Sequence, residues 1–268
     1  MTSRAERYDQ AMPFTAAHVL AVLPAVHAHR ALRLDPTCLV IGAMVPDFEY
    51  FARGELVGQF GHTLPGVVGW AIPVTLILAV VFHGVVKWPL LLAGPRALTG
   101  VFASPWRERW TAGAVASVIG SAVLGDLTHV VWDAATHSDG FIVQHVPALA
   151  RAYALPRFGD VVLHRILQHA STLVGLVGVA AYLDWRIRRA PPVAVAVRRA
   201  GARVAFASCI AAAATAAVFR LHLLRVIEPG NVIAASISGT LAGAIVASLI
   251  MRRPALRYRR LVLENVEP

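Results

Sequence analysis

The strongest constraint on this chain is a series of apolar stretches, each near the length of about 20 residues that carries a helix across a bilayer. They run Gly66 to Val86, Trp110 to about Val131, Ile166 to Leu183, Val204 to Leu224 and Gly230 to Met251. The first and last carry no charge; Asp126 lies in the second, Asp184 ends the third and Arg220 lies in the fourth. A solvated surface needs polar side chains, yet 57% of the residues are apolar and only 15% charged, well outside the usual soluble range. The expected fold class is all-α: a polytopic α-helical membrane protein with about five transmembrane helices.

The net charge of +10 does not indicate nucleic acid, because the basic residues gather in the connections rather than along one soluble face. Lys87, Arg96, Arg107 and Arg109 lie between the first two stretches. Arg186, Arg188, Arg189, Arg198, Arg199 and Arg203 lie between the third and fourth, and Arg252, Arg253, Arg257, Arg259 and Arg260 follow the fifth. The positive-inside rule makes these connections cytoplasmic. The expectation is a multi-pass membrane protein, its C-terminus cytoplasmic and the lipid bilayer its partner, with Arg30–Pro65, Ala134–Arg165 and Arg225–Pro229 on the outer side. Cys38 and Cys209 make no disulfide framework and no thiolate metal site. A cleaved signal peptide is not expected, since Glu6 and Asp9 cancel Arg4 and Arg7 and His18 and His27 interrupt the apolar run.

Before the first span, Thr15 to Leu34 reads as a helix with Thr15 as N-cap and a kink at Pro24. Thr37 to Val45 is a second short apolar stretch ending at Pro46-Asp47. Together they predict an interfacial or re-entrant helical hairpin. The expected domains are 1–190, carrying the candidate site, and 191–268, a two-helix membrane hairpin with a basic tail.

Asp126, His129, Asp133 and His137 fall in the sequence GDLTHVVWDAATHSDG. At about 100° per residue they occupy one helical face within an arc of roughly 80°. Asp126 and His137 would be about 16 Å apart along the axis, whereas ligands sit about 2 Å from an ion. The workable unit is the i, i+4 pair His129 and Asp133, with Asp126 or His137 left for a second ion, an outer shell or substrate. A structural alternative is an interhelical hydrogen-bond seam. Ionisable groups cost about 2.5–3.5 kcal/mol each at a membrane helix centre, and a cation between the two carboxylates relieves their repulsion. Asp47 and His62 are expected on the same side as this pair. His18 joins them if its helix starts on that side, and Gln168 and His169 open the third span there.

Met12-Pro13-Phe14-Thr15 with His18, Val40 to Phe51, Gly61-His62-Thr63 and Leu167 to Ser171 resemble an uncharacterised bacterial membrane family, domain of unknown function 4184. The likeness runs from about Met12 to Arg189 and leaves the last two spans outside. More distantly, Gly125 to Thr136 resembles the Gly-x-x-Ser-His-x-x-x-Asp-x-x-Thr motif of membrane-bound metal-dependent hydrolases. That second resemblance implies His18, Asp47, His62, His129 and Asp133 as metal ligands. Glu49 and Tyr50 replace a further Asp and His of its pattern, which removes ligands from a full multi-metal centre.

Mixed imidazole and carboxylate ligation suits a divalent metal, zinc before manganese or iron. The expected chemistry is metal-activated water attacking a phosphoester or lipid-linked substrate at the extracytoplasmic face, with Asp126 or Glu49 as general base. The alternative is a non-enzymatic transport, assembly or interaction protein whose His/Asp stripe is structural. The sequence does not specify an oligomeric state.

Overall fold

The computed structural model describes residues 15–56, 58–103, 111–155, 159–193, 195 and 199–266. Met12 to Phe14, Trp110 and the connecting arginines Arg107, Arg109 and Arg198 lie outside the described residues. Short helices come first, among them α1 (Val19–His27), α2 (Pro36–Gly42) and α3 (Phe48–Arg53). Five helices long and apolar enough to cross a membrane follow: α4 (Leu64–Ala93), α5 (Ala112–Thr136), α6 (Leu163–Arg189), α7 (Ala200–Leu224) and α8 (Pro229–Ile250). A last helix, α9 (Arg252–Val266), ends the described chain. One antiparallel hairpin, β1 (Ala152–Leu155) with β2 (Gly159–Val162), is the only sheet among the described residues. The protein is an all-α polytopic membrane protein.

The spans fall where the apolar runs predict, but two of them extend past the charges that bounded those runs. In α6 the helix continues through Asp184 because Arg188, one turn on, donates to its carboxylate at 2.7 Å. In α4 it continues through Lys87, whose ammonium lies 5.7 Å from the Trp88 ring centroid.

The chain divides into two compact units. The first contains Met1–Glu49, Gly58–Leu76 and Val115–Tyr182. Asp35 starts α2, its carboxylate accepting the Thr37 and Cys38 N–H groups at 3.0 Å, with Pro36 in the first turn. Helix α2 then presses against α5 through two glycines. A Cβ on Gly42 would stand 2.6 Å from the Ala122 carbonyl oxygen, and one on Gly125 2.5 Å from that of Leu39. Only residues without a side chain permit this approach. Val19, Val22, Leu23, Val26, Leu39 and Ala43 pack beside it.

The expected single helix from Thr15 to Leu34 is three pieces: a 3-10 turn (Thr15–His18), α1, and a short turn (His29–Leu32). The helix runs through Pro24 and breaks at Ala28, which leaves helical geometry. Thr15 is no N-cap; its hydroxyl donates to the buried Asp47 carboxylate at 2.6 Å, a charged and therefore stronger acceptor.

The second unit contains Tyr50–Val57, Ile77–Ala114 and Leu183–Pro268. Here α7 and α8 form a tight antiparallel hairpin in which Gly239 meets Ala213 and Ala214, and Gly243 meets Cys209 and Ile210. Small residues allow such close backbone packing where lipid removes the hydrophobic drive between helices. Trp88, Leu91 and Leu92 pack against Ala255, Tyr258 and Val262 of α9. The buried Arg199 guanidinium joins these pieces, donating to the Gly94 carbonyl at 2.9 Å and to the Tyr258 hydroxyl at 2.5 Å.

Candidate metal centre

The first unit brings one end of α5 against the turns that precede α4. Asp47 ends a 3-10 turn (Val45–Asp47) just after α2, and is fully buried. The Thr15 hydroxyl holds its Oδ2, which leaves Oδ1 without a hydrogen bond among the described residues. His62 ends a second 3-10 turn (Phe60–His62), tethered where the Gly61 N–H donates to Glu49 Oε2 at 3.2 Å. His129 and Asp133 lie one turn apart on α5.

The orientation of His129 follows from the crossing at Gly125. Its Nδ1 lies 2.8 Å from the Ala43 carbonyl oxygen. A carbonyl only accepts, so Nδ1 carries a hydrogen and Nε2 is the nitrogen that faces the carboxylates. This is the outer-shell arrangement of a metal-ligating histidine.

Four donor atoms, from Asp47, His62, His129 and Asp133, lie within 4.8 Å of one another. The His62 Nε2 is 3.4 Å from both Asp47 Oδ1 and Asp133 Oδ2. The His129 Nε2 is 3.5 Å from Asp47 Oδ1 and 3.0 Å from Asp133 Oδ2. All four gaps exceed the about 2.7–2.9 Å of a charge-assisted hydrogen bond. Three of the four, at 3.4–3.5 Å, lie close to the about 3.3–3.4 Å between donors that share a zinc ion with bonds of about 2.0–2.1 Å. The group can hold a metal ion.

His18 belongs to the same cluster without being one of the four. Its ring stacks on that of His129 with centroids 3.8 Å apart, and its Nε2 lies 3.5 Å from Asp133 Oδ1. His137 approaches the same oxygen at 3.5 Å and lies 3.5 Å from Gln168 Nε2. Gln168 is buried, whereas its neighbour His169 is exposed. Asp126 is fully buried one turn before His129, and neither of its carboxylate oxygens has a hydrogen-bond partner among the described residues. Glu49, the other expected base, is also buried and accepts from Gly61.

Charge is uneven across the cluster. Burial, and then the neighbouring His129, push His18 down to about 4, so its ring is neutral near pH 7. Burial also opposes a charged His62, but Asp133 and Asp47 overcome it and hold the ring up to about 9. Burial opposes ionised Asp47 too, yet His129 and His62 keep its carboxyl below the usual carboxylate range. Without an ion, imidazolium and carboxylate charges compensate each other at the point where a cation would sit.

Sequence reasoning did not find Thr15 and Ala43 as orienting groups. One acts through a hydroxyl distant in sequence and the other through a backbone carbonyl, which no residue pattern displays.

No curated protein and no solved structure matches the chain. One family model does match, and it continues through α7 and α8, past the expected limit at Arg189. Those spans carry apolar residues with few distinctive motifs, which is why the resemblance was not visible there. Matching residues 12–252, the chain belongs to the family described as Domain of unknown function (DUF4184).

Proposed function

We propose that this protein is a zinc-dependent hydrolase of a bacterial inner membrane, acting on a phosphoester or lipid-linked substrate at the extracytoplasmic face. The observation that carries the reading is the convergence of Asp47, His62, His129 and Asp133, whose donor atoms lie within 4.8 Å of one another with imidazole–carboxylate gaps of 3.0–3.5 Å. The proposed ligands are these four with His18 beside them, and Asp126 and Glu49 are the proposed general bases. Two imidazoles and two carboxylates are the mixed donor set that zinc accepts. A bound zinc would supply Lewis acidity and an acidified water. The residues then have separate tasks. Thr15 and Ala43 fix the donor directions, His62 forms the least buried wall, and Asp126, whose oxygens are uncommitted, accepts a proton. Membership of the bilayer makes an amphiphilic ester the natural substrate.

One observation favours a second reading. Four protein donors close a tetrahedral site, as structural zinc sites do, whereas catalytic sites keep a position open. In that case the ion ties the turns to α5, and the protein serves transport, assembly or interaction.

The test is metal content and phosphodiesterase activity of detergent-purified protein, compared with His129→Ala and Asp126→Asn. The hydrolase reading expects His129→Ala to lose both metal and activity, and Asp126→Asn to keep metal but lose at least about 100-fold in rate. Metal content unchanged in His129→Ala overturns the site. A loaded wild-type protein without hydrolytic activity overturns the enzyme and leaves the structural ion.

A further inference from the structure

The described α9 spans Arg252–Val266, and it begins immediately after Met251, which ends α8. It therefore starts at the membrane surface. Ala255, Tyr258 and Val262 are buried in the second unit's core. At about 100° per residue, Arg253, Arg257 and Arg260 share an arc of roughly 60° on the opposite face. All three are exposed, and none makes an ion pair among the described residues. Glu264, also exposed, falls inside that arc one turn after Arg260 and is its one carboxylate among the described residues. Beside the stripe, the Arg259 guanidinium lies 5.9 Å and the Lys87 ammonium 5.7 Å from the ring centroid of Trp88. Tryptophan with flanking cations is a pattern of the headgroup layer.

We propose that the face of α9 presenting Arg253, Arg257 and Arg260 binds the phosphate headgroups of anionic phospholipids in the membrane that the protein spans. A topology signal requires only that positive charge lie somewhere in the connection. Here the charges are aligned on a helix whose other face is fixed by packing, so they are held at constant spacing beside a span end, three cations to one carboxylate among the described residues. A row of anionic headgroups complements that arrangement. Guanidinium groups favour phosphate oxygens, and their alignment spares the entropy cost of gathering them.

The experiment places the full-length protein in nanodiscs containing spin-labelled phosphatidylglycerol or phosphatidylcholine and measures the motionally restricted fraction of each. The expected result is a preference for phosphatidylglycerol of at least about threefold at low salt, which declines as salt rises. The variant R253Q/R257Q/R260Q should approach equal restriction of the two lipids, and R253K/R257K/R260K should keep most of the preference. Helical circular dichroism and metal content establish that each variant is folded. Equal restriction by the wild-type protein overturns the proposal, and needs no variant. A preference retained in the folded glutamine variant overturns it as well.

Discussion

His129 donates its Nδ1 hydrogen to the Ala43 carbonyl oxygen at 2.8 Å, and this one bond sets which ring nitrogen faces Asp133 and Asp47. It exists because α2 and α5 touch at Gly42 and Gly125. Gly125→Ala would place a methyl 2.5 Å from the Leu39 oxygen and push the two helices apart. The expected outcome is a loss of about 10- to 100-fold in metal affinity, the usual cost of disturbing an outer-shell partner. Isothermal titration with zinc checks it, and an unchanged affinity would separate the helix crossing from the site.

Thr15→Val removes the hydroxyl that donates to Asp47 Oδ2 while nearly preserving shape. A buried carboxylate loses a partner, at a cost of about 1–3 kcal/mol in stability without metal. Metal affinity should fall by about 10-fold or more. Thermal unfolding in detergent with and without zinc measures both effects. A Thr15→Ser variant, which restores the hydroxyl, should recover most of the loss.

Metal affinity should rise with pH. Asp133 and Asp47 hold His62 protonated up to about 9, and an ion can use its Nε2 only after that proton leaves. Below this pH the proton competes, so affinity falls as pH is lowered; above it the competition ends. Calorimetry in buffers of different ionisation enthalpy should detect proton release on zinc binding at pH 7. No release at that pH would mean that His62 is not a ligand.

The hairpin of α7 and α8 gives a prediction independent of any ion. A Cβ at position 243 would stand 2.6 Å from the Cys209 carbonyl oxygen, so Gly243→Val would drive its side chain into the α7 backbone. Overpacking of this kind costs about 1–3 kcal/mol. The midpoint of unfolding should drop, and Gly243→Ser, still small, should drop less.

The spans were legible because a membrane helix must be apolar along its whole length, and Gly66 to Val86 or Gly230 to Met251 admit no other reading. Asp133 and His129 were legible as a pair because four residues is one helical turn. Their company was harder to read. His62 and Asp47 reach the cluster through turns whose geometry depends on Glu49 and Thr15, at separations that leave no periodic trace. The helix from Arg252 read only as a topology signal, although Ala255, Tyr258 and Val262 recur at helical spacing. The hairpin Ala152–Leu155 with Gly159–Val162 was missed because two four-residue strands lack a clear alternation.

Translation order has a consequence for the Asp47, His62, His129 and Asp133 cluster. Asp47 and His62, before α4, leave the ribosome well ahead of His129 and Asp133 near the end of α5, so the cluster cannot form until the second long helix has been made. An ion held by all four would recognise the assembled unit and not its parts. By mass action it would stabilise that unit by about 1.4 kcal/mol for each tenfold excess over its dissociation constant.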